Sequence, residues 1–219
     1  MGTISVGILC AAVAAADPVE PEREKPGGLY LTLSGMVVVQ EDSDLTSVGG
    51  LALDASLEYD TGYGVQAGVG YTFSWEESRL AVSLELDYAF RTADAESLDA
   101  PGLTIPASGT NDSHSIMFGV LASVEITGGF GLYGGGGIGL TISESDLTLD
   151  LGGGFSLPIP SDSDVTFTWQ ARGGVQYALG RHIVFFGGVN YLDAGNVHFD
   201  SFGGENRSLA FEAGLRVYF

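Results

Sequence analysis

TGYGVQAGVGYTF, residues Thr61 to Phe73, alternates without a break. Tyr63, Val65, Ala67, Val69, Tyr71 and Phe73 fall on one face of an extended chain, and Gly62, Gly64, Gln66, Gly68, Gly70 and Thr72 on the other. Successive side chains of a strand point to opposite faces, so this period of two describes a strand with one apolar side.

The period recurs along the chain. Leu29, Leu31, Leu33, Val37 and Val39 share a face in LYLTLSGMVVVQ, as do Leu80, Val82, Leu84, Leu86, Tyr88 and Phe90 in RLAVSLELDYAFR. SIMFGVLASVEI groups Ile116, Phe118, Val120, Ala122, Val124 and Ile126, and FGLYGGGGIGLTI groups Phe130, Leu132, Ile138, Leu140 and Ile142. VTFTWQARGGVQYAL, the less polarised HIVFFGGVNYL and SLAFEAGLRVYF bring the number of strands to eight, and the last places Phe219 on its apolar face. Each is about 11 to 14 residues long, against about 5 or 6 for a globular strand, and that length suits a tilted strand crossing a bilayer. The connections Ser74 to Ser78, Thr127 to Gly129 and Gly180 to Arg181 are short, whereas Glu41 to Asp60, Thr92 to Asp112, Ser143 to Asp164 and Ala194 to Asn206 are long. Short turns on one rim and long loops on the other predict an all-β fold, an eight-stranded antiparallel up-and-down transmembrane β-barrel over residues 28–219. Within the third long loop, LDLGGGFSLPIP alternates again and predicts a hairpin extending the barrel.

Composition narrows the function. With 219 residues, 8 Lys and Arg against 28 Asp and Glu, and a formal charge of -20, the chain lacks the basic stripe a nucleic acid requires. Hydrophobic residues make up 45% of it, too many for a disordered acidic polymer. Residues 1–16 read as a signal peptide, with an apolar stretch too short to span a bilayer and Ala14-Ala15-Ala16 before Asp17, although no Lys or Arg precedes it. Residues 17–27 read as a charged periplasmic linker. Cys10 is the single cysteine, so no disulfide or cysteine metal site is expected.

The polar face carries Glu85, Asp87, Arg91, Glu125, Arg172, Glu212 and Arg216. Both signs on inward positions predict a lumen charge network, because eight strands leave a bore just wide enough for side chains. Aromatic residues gather toward both ends of the strands, as interface belts do. On this pattern the segments DTGYGVQAGVGYTF, LYGGGGIGL, ARGGVQYALG and LAFEAGLRVYF resemble the outer-membrane β-barrel domain family of small porin-like and opacity-like surface proteins. The resemblance implies a place in the bacterial outer membrane among lipids and lipopolysaccharide. It also implies that Phe219 is part of the signal read by the barrel-assembly machinery.

The long loops hold many carboxylates and no Lys or Arg. Glu41, Asp42 and Asp44 in EDSD, with Asp162 and Asp164 in SDSD, are candidate ligands for weakly bound calcium, since hard cations favour oxygen donors; no other cofactor is expected. Acidic loops also keep a surface protein soluble without any metal. His114, flanked by Ser113 and Ser115 after Asp112, and His198, ahead of Asp200 and Ser201, lack a nucleophile motif, so no enzyme activity is expected. The expected role is that of a structural or surface-interaction protein with a filled lumen. A narrow porin-like channel or portal for small solutes is the alternative, and small exterior residues such as Gly134 and Gly136 leave oligomers or arrays open.

Overall fold

Strict period two requires two different environments, one on each side of the sheet, along its whole length. A sheet closed on itself supplies both. The computed structural model describes residues 25–40, 43–45, 55–75, 78–100, 103–150, 156–199 and 202–219. The expected signal peptide, most of the linker, and the cation-ligand candidates Glu41 and Asp42 lie outside the described residues.

In chain order the strands are β1 (Gly28–Gln40), β2 (Ser43–Leu45), β3 (Ala55–Tyr59), β4 (Gly62–Ser74), β5 (Leu80–Ala100), β6 (Leu103–Thr127), β7 (Phe130–Asp150), β8 (Ser156–Ala178), β9 (Ile183–Phe199) and β10 (Phe202–Tyr218). Eight of them, β1 and β4 to β10, pair antiparallel with their neighbours around a ring that β1–β10 and β5–β6 pairing completes. β2 and β3 are a short hairpin added to the far end of β5, through Leu57 opposite Leu98. Closure removes the sheet edges, whose unpaired amides and carbonyls would be costly in lipid.

The three short connections are as expected. In the β6–β7 turn Gly128 and Gly129 have φ of 57° and 86°, the left-handed region that a two-residue hairpin turn demands and glycine reaches without strain. The long connections differ from expectation. β5 and β6 stay paired up to Ala100 opposite Leu103, and β7 and β8 up to Asp150 opposite Ser156, so Thr92–Asp112 and Ser143–Asp164 are mostly strand. The hairpin expected in LDLGGGFSLPIP forms through its ends, Leu149 opposite Leu157, with residues 151–155 outside the described set. Backbone pairing does not depend on an apolar face, and alternation fades once a strand leaves lipid. The strand therefore outlasts the pattern that reveals it.

Exposure follows parity. On β1, Tyr30, Thr32, Ser34, Met36 and Val38 are buried inside the barrel while Leu29, Leu31, Leu33, Val37 and Val39 are exposed outside. Leu33 is 56% exposed, Ile116 60% and Phe167 62%, and outward leucines, valines and aromatics repeat on the other barrel strands. A continuous apolar girdle of this extent cannot face water; it is the surface that lipid covers. Its far edge is marked by a change of residue on the same outward positions. β5 passes from Phe90 to Asp94, β6 from Ile116 through His114 to Asp112, and β7 from Ile142 to Glu144. At this lip Tyr88 and His114 share a hydrogen bond of 2.8 Å, Trp169 lies against Tyr191 with ring centroids 5.4 Å apart, and Arg207 pairs with Asp193 at 3.3 Å. Phe219 sits at the other edge, 71% exposed, its amide donating to the Leu29 carbonyl at 3.0 Å.

Inward glycines on β4 make room for long side chains to cross. Gly70 stands between Tyr30 and Glu85, Gly68 between Thr32 and Asp87, and Gly64 between Met36 and Arg91. A Cβ on Gly70 would collide with the Tyr30 ring and lie 2.8 Å from the Leu84 carbonyl oxygen, whereas one on the outward Gly35 meets nothing within 4 Å. Gly70→Ala is thus expected to destabilise the barrel by ~1–3 kcal/mol, with Gly35→Ala within ~0.5 kcal/mol of wild type, as urea unfolding midpoints in lipid will read.

Candidate functional site

The inward parity of eight strands converges on a single axis, and the charges found there are fully desolvated. The buried charged residues among those described are Glu85, Asp87, Arg91, Arg172, Glu212 and Arg216, three carboxylates and three guanidiniums. Arg172, from β8, is the hub. Its Nη1 donates to Glu85 Oε1 at 2.7 Å and to Asp87 Oδ2 at 3.2 Å, both on β5, and its Nε lies 3.5 Å from Glu212 Oε1 on β10. β5 and β8 stand three places apart around the eight-strand ring, so these bonds cross the bore instead of following the wall.

Tyrosines add one hydroxyl donor to each of two carboxylates. Tyr30, from β1, donates to Glu85 Oε2 at 2.7 Å, and Tyr133, from β7, donates to Glu212 Oε1 at 2.8 Å. Arg216 closes the short-turn side: its Nε is 3.7 Å from Glu85 Oε2, its Nη1 donates to Gln176 at 3.2 Å, and its guanidinium lies over the Phe186 ring 4.5 Å from the centroid. Contact with the π-face offsets part of the cost of burying a cation, as does the hydrogen bond to Gln176. Below it Tyr30 and Tyr218 pack with ring centroids 5.0 Å apart, and Val184 is buried against them. Toward the opposite side a neutral ladder continues the filling, with Ser115, Thr141 and Thr168 linked at 2.8 and 2.7 Å and Asn190 donating to Gln170 at 3.3 Å.

Six of the seven expected lumen charges therefore occupy the lumen, and five of them, all but Arg91, interlock. Glu125 does not join them. It stands beside the β6–β7 turn, where its carboxylate accepts from the Gly129 amide at 3.2 Å and remains partly exposed. Its parity is inward, but it is two residues from the strand end, so it meets the turn and not the bore. Tyr30, Tyr133, Gln176 and Phe186 carry no charge that would mark them in the sequence. Their one sequence signal is parity, since each sits on the face opposite the apolar one.

The loop candidates fare differently. Asp44 lies in β2, and Asp162 and Asp164 lie in β8, where Asp162 is opposite Ser145 and Asp164 opposite Ser143; their side chains are outside the described set. Among the described residues, no three His, Cys, Asp or Glu side chains gather as a metal site. Strand parity separates the histidine cluster, because Asp112 and His114 point outward while Ser115 is buried inside, and His114 Nδ1 is held by Tyr88. His198 lies in β9 with its side chain outside the described set, and Asp200 and Ser201 are outside it altogether.

Over residues 2–216 the chain matches the family model described as outer membrane protein beta-barrel domain. No curated protein matches it. Among solved structures it is similar to Neisserial surface protein A, at 19% identity and TM-score 0.53, covering 90% of this chain and 100% of that one. It is also similar to the outer membrane protein OprG from Pseudomonas aeruginosa (12%, TM-score 0.51, covering 89% and 97%) and to the outer membrane protease OmpT from Escherichia coli (10%, TM-score 0.51, covering 88% and 94%). At these identities the likeness concerns the fold alone.

Proposed function

The chain belongs to the outer membrane protein beta-barrel domain family and resides in the bacterial outer membrane, and from that premise we propose that it is a structural or surface-interaction protein whose lumen is closed to solutes. One observation carries this reading: Arg172 joins β8 to β5 and β10 across the bore through three buried carboxylates. A pore requires a continuous water path, and a cross-bore ion network with both signs in direct contact removes it. In this reading the work of the protein lies outside the membrane, on the acidic hairpins that rise above the lip, whose neighbours are lipid and lipopolysaccharide. Phe219, outward at the periplasmic edge, is part of the signal the assembly machinery reads. No catalysis is assigned, in keeping with the separation of Ser115 from His114 on opposite faces.

The test is single-channel recording after insertion of the folded protein into a planar bilayer. The expected outcome is an electrically silent membrane that nevertheless contains folded barrel, shown by its heat-shifted electrophoretic mobility. Steady discrete openings whose ion preference changes when Arg172 is neutralised would replace this reading with that of a narrow channel.

A further inference from the structure

Arg91 is the lumen charge that the network does not absorb. It is 4% exposed, and Nε, Nη1 and Nη2 all lack a hydrogen-bond partner among the described residues. A buried guanidinium in that condition is costly, because its desolvation is not compensated. The nearest carboxylate along its row is Glu212, reached through Gly64 and Met36, and Glu212 is engaged by Arg172 and Tyr133.

Arg91 lines a cavity on the extracellular side of the network, with Gln40, Asn111, Ser113, Thr141 and Ser208 contributing polar groups. Among the described lining residues Arg91 alone is charged, in a chain where acids outnumber bases 28 to 8. The cavity offers about 10 Å³ to the centre of a water-sized sphere. That space is about what one water-sized sphere needs.

We propose that this cavity is a binding site for one monatomic halide-class anion, held by the Arg91 guanidinium and by hydroxyl and amide donors of Ser208 and Asn111. The anion accepts the hydrogen bonds of a buried guanidinium that the ion network leaves without an acceptor. It also locks β5 to β6 and β10 above the hub, so halide binding stabilises the folded barrel. The site does not depend on whether the lumen conducts.

The probe is bromide. Thermal unfolding of the full chain folded in detergent is followed at a fixed scan rate in sodium bromide and in sodium gluconate of equal ionic strength, with wild type, Arg91→Met and Arg91→Gln. Wild type is expected to melt about 5 °C higher in bromide when the anion is about a hundredfold above its dissociation constant, and both variants to lose that difference while still folding. Crystals grown in bromide should show an anomalous peak beside Arg91. Equal wild-type midpoints in the two salts without such a peak would overturn the proposal and leave a water-filled cavity. A bromide effect retained in both variants would overturn it too, by placing the anion elsewhere. Should either variant fail to fold, the other variant and the wild-type anomalous peak still decide the matter.

Discussion

Arg172→Met is expected to cost the barrel ~3–5 kcal/mol, a large share of a domain's stability. Removing one partner of a buried ion network leaves the others desolvated and uncompensated, a larger loss than the network's net contribution. Here the substitution leaves Glu85, Asp87 and Glu212 facing one another with their hub gone. A domain's whole stability is ~5–15 kcal/mol, so a loss of this size is decisive. Urea midpoints in lipid vesicles, with electrophoretic mobility as a check on folding, will measure it. Adding Glu85→Gln to Arg172→Met removes one of the stranded charges and should recover ~1–3 kcal/mol, a coupling that a double-mutant cycle isolates. Arg172→Lys should recover less, because one ammonium cannot reproduce a planar fork that reaches both β5 and β10. If Arg172→Met unfolds within ~0.5 kcal/mol of wild type, the carboxylates are solvated by lumen water, and the closed-bore reading loses its central observation.

The second large effect lies on the outer face. Val120 is outward on β6 and 45% exposed, flanked by Leu84 and Gly136 within the apolar girdle. Val120→Arg is expected to cost ~2–4 kcal/mol in vesicles, the penalty for a cation near the bilayer midplane on a lipid-facing strand. Thr110 occupies the same face of the same strand beyond the lip, exposed and opposite Asp94 and Asp146, so Thr110→Arg should change stability by no more than ~1 kcal/mol. The two substitutions introduce the same charge, and depth alone separates them. Equal effects at both positions would mean that the girdle does not lie in hydrocarbon at Val120.

Much of the architecture was legible because it depends on local features. Alternation from Tyr63 to Phe73 assigns faces residue by residue, and the face of Gln66 or Asp87 follows from parity with no knowledge of any partner. Gly128 and Gly129 announce a tight turn through their own backbone freedom. The upper hairpins were hidden for the complementary reason: from Thr92 to Asp112 the apolar-polar alternation is lost, and Thr, Ser and Asp read as loop although the backbones of β5 and β6 stay paired.

The strand period, the lipid face, the short-turn rim and the inward parity of every lumen charge are written in the amino-acid order, since each is a property of neighbouring residues. Which of those charges meet depends on the closed barrel. Parity gives the side of the sheet but not the height in the bore, and height across the bore depends on how strands are staggered around the closed ring. That stagger brings Arg172 to Glu85, Asp87 and Glu212, lets Tyr30 reach past Gly70 to Glu85, leaves Glu125 at a turn, and sets Arg91 beside its cavity with no hydrogen-bond partner among the described residues.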